Sequence, residues 1–200
     1  MIIMMIHIYE DVKKMEWDEF NSEAKNGHFF FYRDYMEYHN DRFHDFSLII
    51  YNDKGNIMAL LPASINGDTV ISHGGLTFGG FVCDSKMTAA KMLDIFANVK
   101  QFLKNAGVRI FIYKCMPAIY NKYPSDEALY ALFCNNAELY RRDVSFSIYL
   151  PDRLGYQEQR KRAIKKGYRY QYALQESRNT GVHKFVGQNL DKISWHTSCT

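Results

Sequence analysis

The sequence predicts an α/β (α+β) fold, a mixed central β-sheet covered by helices on both faces. Three observations carry that prediction. Short apolar runs bounded by turn residues recur along the chain, a long amphipathic helical segment interrupts them, and 47% hydrophobic residues among 200 suffice for one substantial core. In order the elements read strand, helix, helix, three strands, long helix, strand, helix, strand, and that alternation needs a sheet layered with helices.

The apolar start at residues 1–6 reads as the first strand, because it lacks a basic leader and runs directly into His7, Glu10 and Asp11. Trp17, Phe20 and Ala24 recur at helical spacing, and Asn26-Gly27 supplies a stop, so a helix is expected over about 15–25. A second helical piece is expected over 33–39. Two apolar runs, 46–51 and 57–61, flank the turn Asp53-Lys54-Gly55-Asn56 and read as a buried hairpin, which Pro62 ends or bulges. Short strands at 69–72 and 80–83 flank the glycine-rich loop from His73 to Gly79. Ser85 is the expected N-cap of a long helix to about Asn105, with Met92, Phe96, Val99, Phe102 and Leu103 on one face. Gly107 closes it, and a strand follows over 108–114. Ser125 is expected to cap a helix with Asp126 and Glu127 in its first turn and Leu129, Leu132 and Phe133 on its buried side. Strict alternation of Val144, Phe146, Ile148 and Leu150 predicts a half-buried strand that Pro151 stops. A basic helix over 156–166 then places Glu158 four residues before Arg162.

With 25 Lys+Arg against 22 Asp+Glu, the net charge of +3 argues neither for wholesale nucleic-acid binding nor for an unstructured chain. Cys83, Cys115, Cys134 and Cys199 form no C-x-x-C pair, which disfavours a zinc ribbon, a thioredoxin-type motif and a dense disulfide scaffold, and predicts a cytoplasmic setting. No stretch reaches the roughly 20 apolar residues of a membrane span.

Several segments, spread over residues 17–166, resemble the FemAB-related GNAT-family acyltransferases of bacterial surface-polysaccharide loci. They are Tyr38-His39-Asn40-Asp41-Arg42-Phe43, with Asp45-Phe46-Ser47-Leu48 after it; Ser72-His73-Gly74-Gly75-Leu76-Thr77-Phe78-Gly79-Gly80; Tyr113-Lys114 leading to Pro117, Ile119-Tyr120 and Pro124; Tyr130-Ala131-Leu132-Phe133; and Arg141-Arg142-Asp143. The resemblance implies a GNAT-like domain over 1–166, the amino-terminal half of a protein with a second such domain. It implies transfer of an acyl or aminoacyl group to an amine of a surface-polysaccharide or cell-wall precursor, with acetyl-CoA or another acyl-CoA as donor in the full-length family. In one place the chain departs from the pattern of simple GNAT enzymes. Cys83-Asp84-Ser85-Lys86-Met87 offers no glycine cradle for a pyrophosphate and adds an acid, so coenzyme A binding is not expected in this half.

Tyr120 and His73 are the catalytic candidates, Tyr120 beside the strand-to-helix passage where an acid belongs and His73 as a base or sugar contact. A tyrosine packed at a core edge and a hydrogen-bonded structural histidine are the competing readings. Candidate substrate contacts are His39, Arg42, Gly74, Gly75, Lys114 and Arg142. Against them stand a structural turn of φ > 0 glycines, an ion pair of Arg42 with Asp41 or Asp45, and a salt bridge within Arg141-Arg142-Asp143. No metal is expected from His39, Asp41, His44 and Asp45, whose spacing matches no standard site. The cluster Arg160-Lys161-Arg162 with Lys165-Lys166 could touch an aminoacyl-tRNA donor or an acidic membrane surface, or form a solvated helix face. A glycan-precursor substrate and dimerisation through an uncovered surface complete the partner expectations. A non-catalytic module binding substrate or partner is the alternative to an enzyme.

The resemblance stops at Lys166. Read one nucleotide out of frame with suitable codons, residues 167–200 can spell the start of the family's second domain, so the tail is expected to be either a frameshift product or a divergent tail with a strand over 168–174.

Overall fold

The computed structural model describes residues 4–144, 151, 154–169, 173–176 and 183–186. The chain divides into two compact units, Met1–Tyr140 and Arg141–Thr200. The first unit has the mixed α/β architecture expected. Its strands are β1 (Met4–Ile8), β2 (His44–Asp45), β3 (Leu48–Asn52), β4 (Ile57–Leu61), β5 (Ala63–Asn66), β6 (Thr69–Ser72), β7 (Val82–Cys83) and β8 (Ile110–Ile112). Its α-helices are α1 (Lys14–Glu23), α2 (Arg33–Met36), α3 (Ala89–Asn105) and α4 (Glu127–Cys134).

The strands form two four-stranded sheets, β1-β3-β4-β7 and β2-β5-β6-β8. Every pairing is antiparallel except β6 with β8, which is parallel, with Thr69 opposite Ile110 and Ile71 opposite Ile112. Three segments without a helix run from one sheet into the other among the described residues. The crossing points are Phe46-Ser47, Pro62, and the loop from His73 to Phe81. Pro62 has no N–H for a ladder, and its position between β4 and β5 marks where the second strand of the hairpin breaks.

Side-chain alternation along β3 builds both cores. Leu48 and Ile50 face a cluster with Ile95, Val99 and Leu103 of α3, whereas Ile49 and Tyr51 face one with Trp17 of α1. All four are buried, so the strand reads as an unbroken apolar run. Trp17 is fully buried and donates its indole N–H to Phe31 O at 2.7 Å, which satisfies its one polar group.

Several local expectations are corrected. Thr88, not Ser85, caps α3, its hydroxyl accepting from Lys91 N–H at 3.3 Å. Ser125 does not cap α4: its hydroxyl donates to the Glu127 carboxylate, and the N-cap residue is Asp126. The buried side of α4 also differs. Leu129 is 52% and Phe133 78% exposed, while Ala131 is wholly buried and Leu132 partly so. Helix α4 packs on α3, and a small residue at the contact lets two helices approach closely, which turns the bulky residues outward.

In the second unit, α5 (Glu158–Arg169) is longer than expected, and β9 (Ala173–Glu176) pairs antiparallel with β10 (His183–Val186). The strand expected over 168–174 is therefore helical at Tyr168 and Arg169 and extended only from Ala173. Glu158 pairs with Lys161 at 2.7 Å rather than with Arg162. Val144 is exposed, and the rest of the strand expected over 144–150 lies outside the described residues. No helix among the described residues is long and apolar enough to cross a membrane.

Candidate functional site

The parallel β6/β8 pair ends at Ile71 and Ile112, and its last link is a side chain: Ser72 Oγ accepts from Lys114 N–H at 2.7 Å. Beyond it one segment turns into the glycine-rich loop and rejoins β4 as β7, while the other continues through Tyr113 to Met116. A cavity of about 110 Å³ lies in this part of the molecule. Phe81, Cys83, Tyr113, Cys115 and Met116 line it together with Met92 of α3 and the first residues of α4.

Alternate residues of a strand direct their backbone groups to opposite edges. Val82 and Cys83 lie opposite Leu60 and Ala59 of β4, and the partners of the Phe81 and Cys83 backbone groups show that these face the other edge. Among the described residues that edge carries no strand, yet its polar groups are satisfied. Asn26 Nδ2 donates to Phe81 O at 2.8 Å, and Cys83 N–H donates to Asn26 Oδ1 at 2.8 Å. Lys25 N–H donates to Cys83 O at 2.8 Å, and Phe81 N–H donates to the Tyr113 hydroxyl at 2.9 Å. One side-chain amide thus stands in for a peptide unit of a neighbouring strand. Gly80, at φ 88°, makes the tyrosine contact possible, since a Cβ there would lie 2.7 Å from the Tyr113 oxygen.

The same cavity wall holds a buried ion pair. Lys25 has a side chain only 3% exposed and reaches Glu127 Oε1 at 2.6 Å. Burial alone pushes the Glu127 carboxyl upward, but hydrogen bonds from Lys25 and Ser125 outweigh it and hold the group below its ordinary value. Burial pushes the Tyr113 hydroxyl and the Cys83 thiol far up, so both stay protonated at neutral pH. Asn121 Oδ1, also at this cavity, is a buried acceptor with no hydrogen-bond partner among the described residues. Where a pyrophosphate cradle would open α3, the Asp84 carboxylate instead takes the Lys86 N–H at 3.0 Å.

A second cavity of about 100 Å³ lies on the other flank of the glycine-rich loop, lined by His73, Gly74 and Gly75 with Glu37, Phe43, Asp45 and Ser64. His73 is buried at φ 53° and donates through Nε2 to Phe30 O at 2.9 Å. Burial lowers its pKa, so the ring is neutral near pH 7. Gly74 and Gly75 pack so tightly that a Cβ would meet Ser64 Oγ at 2.2 Å and the Phe43 ring at 2.5 Å. Lys114 Nζ ties the loop down, donating to Leu76 O at 2.6 Å and His73 O at 3.2 Å.

Tyr120 is 47% exposed, stacks on Phe78 with ring centroids 5.0 Å apart, and lines neither cavity. Arg42 is exposed and has no ion pair among the described residues. Asp45, one of its two expected partners with Asp41, instead pairs with Arg33 at 2.5 Å. Arg142 is exposed in the second unit, beside the Arg141–Asp143 pair at 2.9 Å. The backbone of His39 ends the 3-10 turn Glu37–His39, and its side chain lies outside the described part.

No family model matches the chain, and no curated protein matches it. Among solved structures it is similar to the aminoglycoside antibiotic 6'-N-acetyltransferase AAC(6')-Ih from Acinetobacter baumannii, at 14% identity and a TM-score of 0.43, over 76% of this chain and 100% of that one. It is similar also to AAC(6')-Iy in complex with CoA, at 15% identity and a TM-score of 0.46, over 74% and 97% of the two chains. AAC(6')-Iy with the bisubstrate analogue CoA-S-monomethyl-acetylneamine gives 16% identity and 0.45, over 72% and 97%.

Sequence reasoning did not single out Asn26, Lys25 or Arg33. Asn26 stood as a helix stop, and nothing local distinguishes a turn asparagine from one that bonds a strand 55 residues away. Arg33 is buried with its guanidinium 3.6 Å from the Tyr9 ring centroid and bonded to Glu37, Asp45 and Ser47. Its one sequence signal is Glu37, four residues on in a helical segment.

Proposed function

We propose that this chain is a GNAT-like N-acyltransferase domain that transfers an acyl or aminoacyl group to an amine of a surface-polysaccharide or cell-wall precursor. The observation that carries the reading is the parting of the parallel β6/β8 pair beside a β7 edge that faces a cavity and carries no neighbouring strand among the described residues. An amide-bearing thioester arm laid along such an edge gains strand-type hydrogen bonds and exact placement of its carbonyl. The acceptor amine then attacks that carbonyl carbon, the C–S bond breaks as the tetrahedral oxyanion collapses, and the departing thiolate takes up the proton that the amine gives up. The cavity at His73, Gly74 and Gly75 is the proposed acceptor side, with Lys114 holding its loop in shape. Roles for Tyr120, His39, Arg42 and Arg142 rest on the family resemblance. So do the division at Lys166 and the out-of-frame origin of 167–200, which reading the gene's nucleotides across Lys166 tests.

Acetyl-CoA titration followed by calorimetry, with mass spectrometry of amino-sugar acceptors, tests the proposal. Saturable binding and donor-dependent N-acylation support it; neither, at millimolar donor, overturns it. A second reading, a non-catalytic binding module, is favoured by the full occupancy of the β7 edge and by a cavity well below the roughly 300 Å³ of common ligand sites. Binding of a sugar nucleotide without binding of any acyl donor would select it.

A further inference from the structure

We infer that the Asn26 side chain is a built-in competitor for the β7 edge, a displaceable plug that keeps the donor cleft closed until an amide-bearing arm replaces it; this rests on the acyltransferase reading above. Asn26 makes the two bonds, to Phe81 O and from Cys83 N–H, that an incoming arm would need to make. Its carboxamide has the donor and acceptor of a peptide group, so each bond lost on displacement is regained from the arm.

The surroundings permit the side chain to leave while the backbone stays. Gly27 presses on α1 so closely that a Cβ would lie 1.9 Å from Asn21 O, and Asn21 in turn bonds His28 N–H at 3.2 Å and His28 O at 3.1 Å. Lys25 is held from both sides, by its own N–H to Cys83 O and by Lys122 N–H donating to its carbonyl at 2.9 Å. The turn is therefore anchored on either side of Asn26, whose half-buried side chain lines the cavity. Rotation about χ1 and χ2 frees both β7 groups toward that cavity, at a cost of side-chain rather than backbone rearrangement.

Two measurements on the full chain test the plug. The first is amide hydrogen exchange in wild type, Asn26→Ala and the near-isosteric Asn26→Asp, which keeps an acceptor for Cys83 N–H and removes the donor to Phe81 O. The second is calorimetric titration of each protein with S-acetylpantetheine, which lacks the pyrophosphate and so reads the β7 edge alone. The plug predicts at least tenfold faster exchange at Cys83 in Asn26→Ala, little change at Val82, and binding about tenfold tighter in Asn26→Ala than in wild type. Asn26→Asp is expected to lie between them in affinity. Equal affinity in all three proteins overturns the plug and leaves the acyltransferase reading standing. Cys83 exchange that does not respond to Asn26→Ala also overturns it. Release of the Cys83 amide with no thioester binding to any of the three removes the donor reading and the inference together.

Discussion

Two places where the sheet loses its backbone ladder are mended in different ways. At the crossing between β2 and β3, Ser47 is fully buried, and its hydroxyl accepts from Ala63 N–H at 3.2 Å and bonds Asp45 Oδ1 at 2.5 Å. Arg33 closes that network from behind, sandwiched against Tyr9, with its charge met by Asp45 and Glu37. At β7 one half-buried asparagine, beside the Lys25 amide and the Tyr113 hydroxyl, does the mending, and it borders a cavity. Both repairs border a cavity, but the first is centred on a fully buried serine and a buried arginine, and the second on a neutral, half-buried side chain that can exchange with whatever enters. Burial decides which repair is structural, because an unmet buried charge costs several-fold more than a neutral group that water can reach.

The largest expected effect therefore falls on the first repair. Arg33→Ala should cost about 4 kcal/mol in urea unfolding, since it empties a buried site packed against Tyr9 and Trp17 and leaves the Ser47–Asp45 pair without its cation. A loss below about 1 kcal/mol would make the Ser47 crossing no more structural than the β7 edge. Removing Glu127 by Glu127→Ala leaves Lys25 buried without its carboxylate and should cost about 3 kcal/mol by the same measurement. Ser47→Ala leaves Ala63 N–H without its acceptor, an expected loss of about 1–2 kcal/mol. Asn26→Ala should cost less than about 1 kcal/mol, because Phe81 O and Cys83 N–H gain access to the cavity and its water. An Asn26 loss equal to that of Ser47 would merge the two repairs into one kind.

The smallest effect is a pH slope. The pKa of His73 is lowered by burial from an ordinary value of 6.5, so the unfolded chain binds the proton first as pH falls. Stability associated with His73 is complete above 6.5 and declines as pH drops below it toward the folded value. His28, also lowered by burial, adds to the same slope. Thermal unfolding at pH 7.5 and 5.5 should show the decline, and His73→Asn, which tolerates the left-handed backbone, should reduce it without abolishing it.

What was legible in the sequence followed from periodicity and turn chemistry. The hairpin around Asp53-Lys54-Gly55-Asn56, the break at Pro62, the long helix ending before Gly107 and the two-faced burial of 48–51 all reflect interactions within a few residues or a period of 2 or 3.6. The face of α4 was misread because its period alone does not say which side meets α3, and Ala131 won that contact over Leu129 and Phe133. The caps of α3 and α4 were misplaced by a few residues for a related reason: serines at 85 and 125 offer hydroxyls, but the backbone turns elsewhere. Candidate residues around His73-Gly74-Gly75 were found through the conformational signature of glycine, and the structure gathers them at one cavity. Asn26 and Arg33 were invisible because their partners lie far along the chain.

By itself the sequence determined the helices of the first unit and most of its strands, though not β2 or β5, and that one sheet must be buried on both faces, since apolar spacing and chain-breaking residues act locally. Only the tertiary structure decided that a turn asparagine lies along β7 and that a serine and a buried arginine hold the sheet crossing together, because hydrogen bonds and charge pairs across tens of residues depend on how the layers pack.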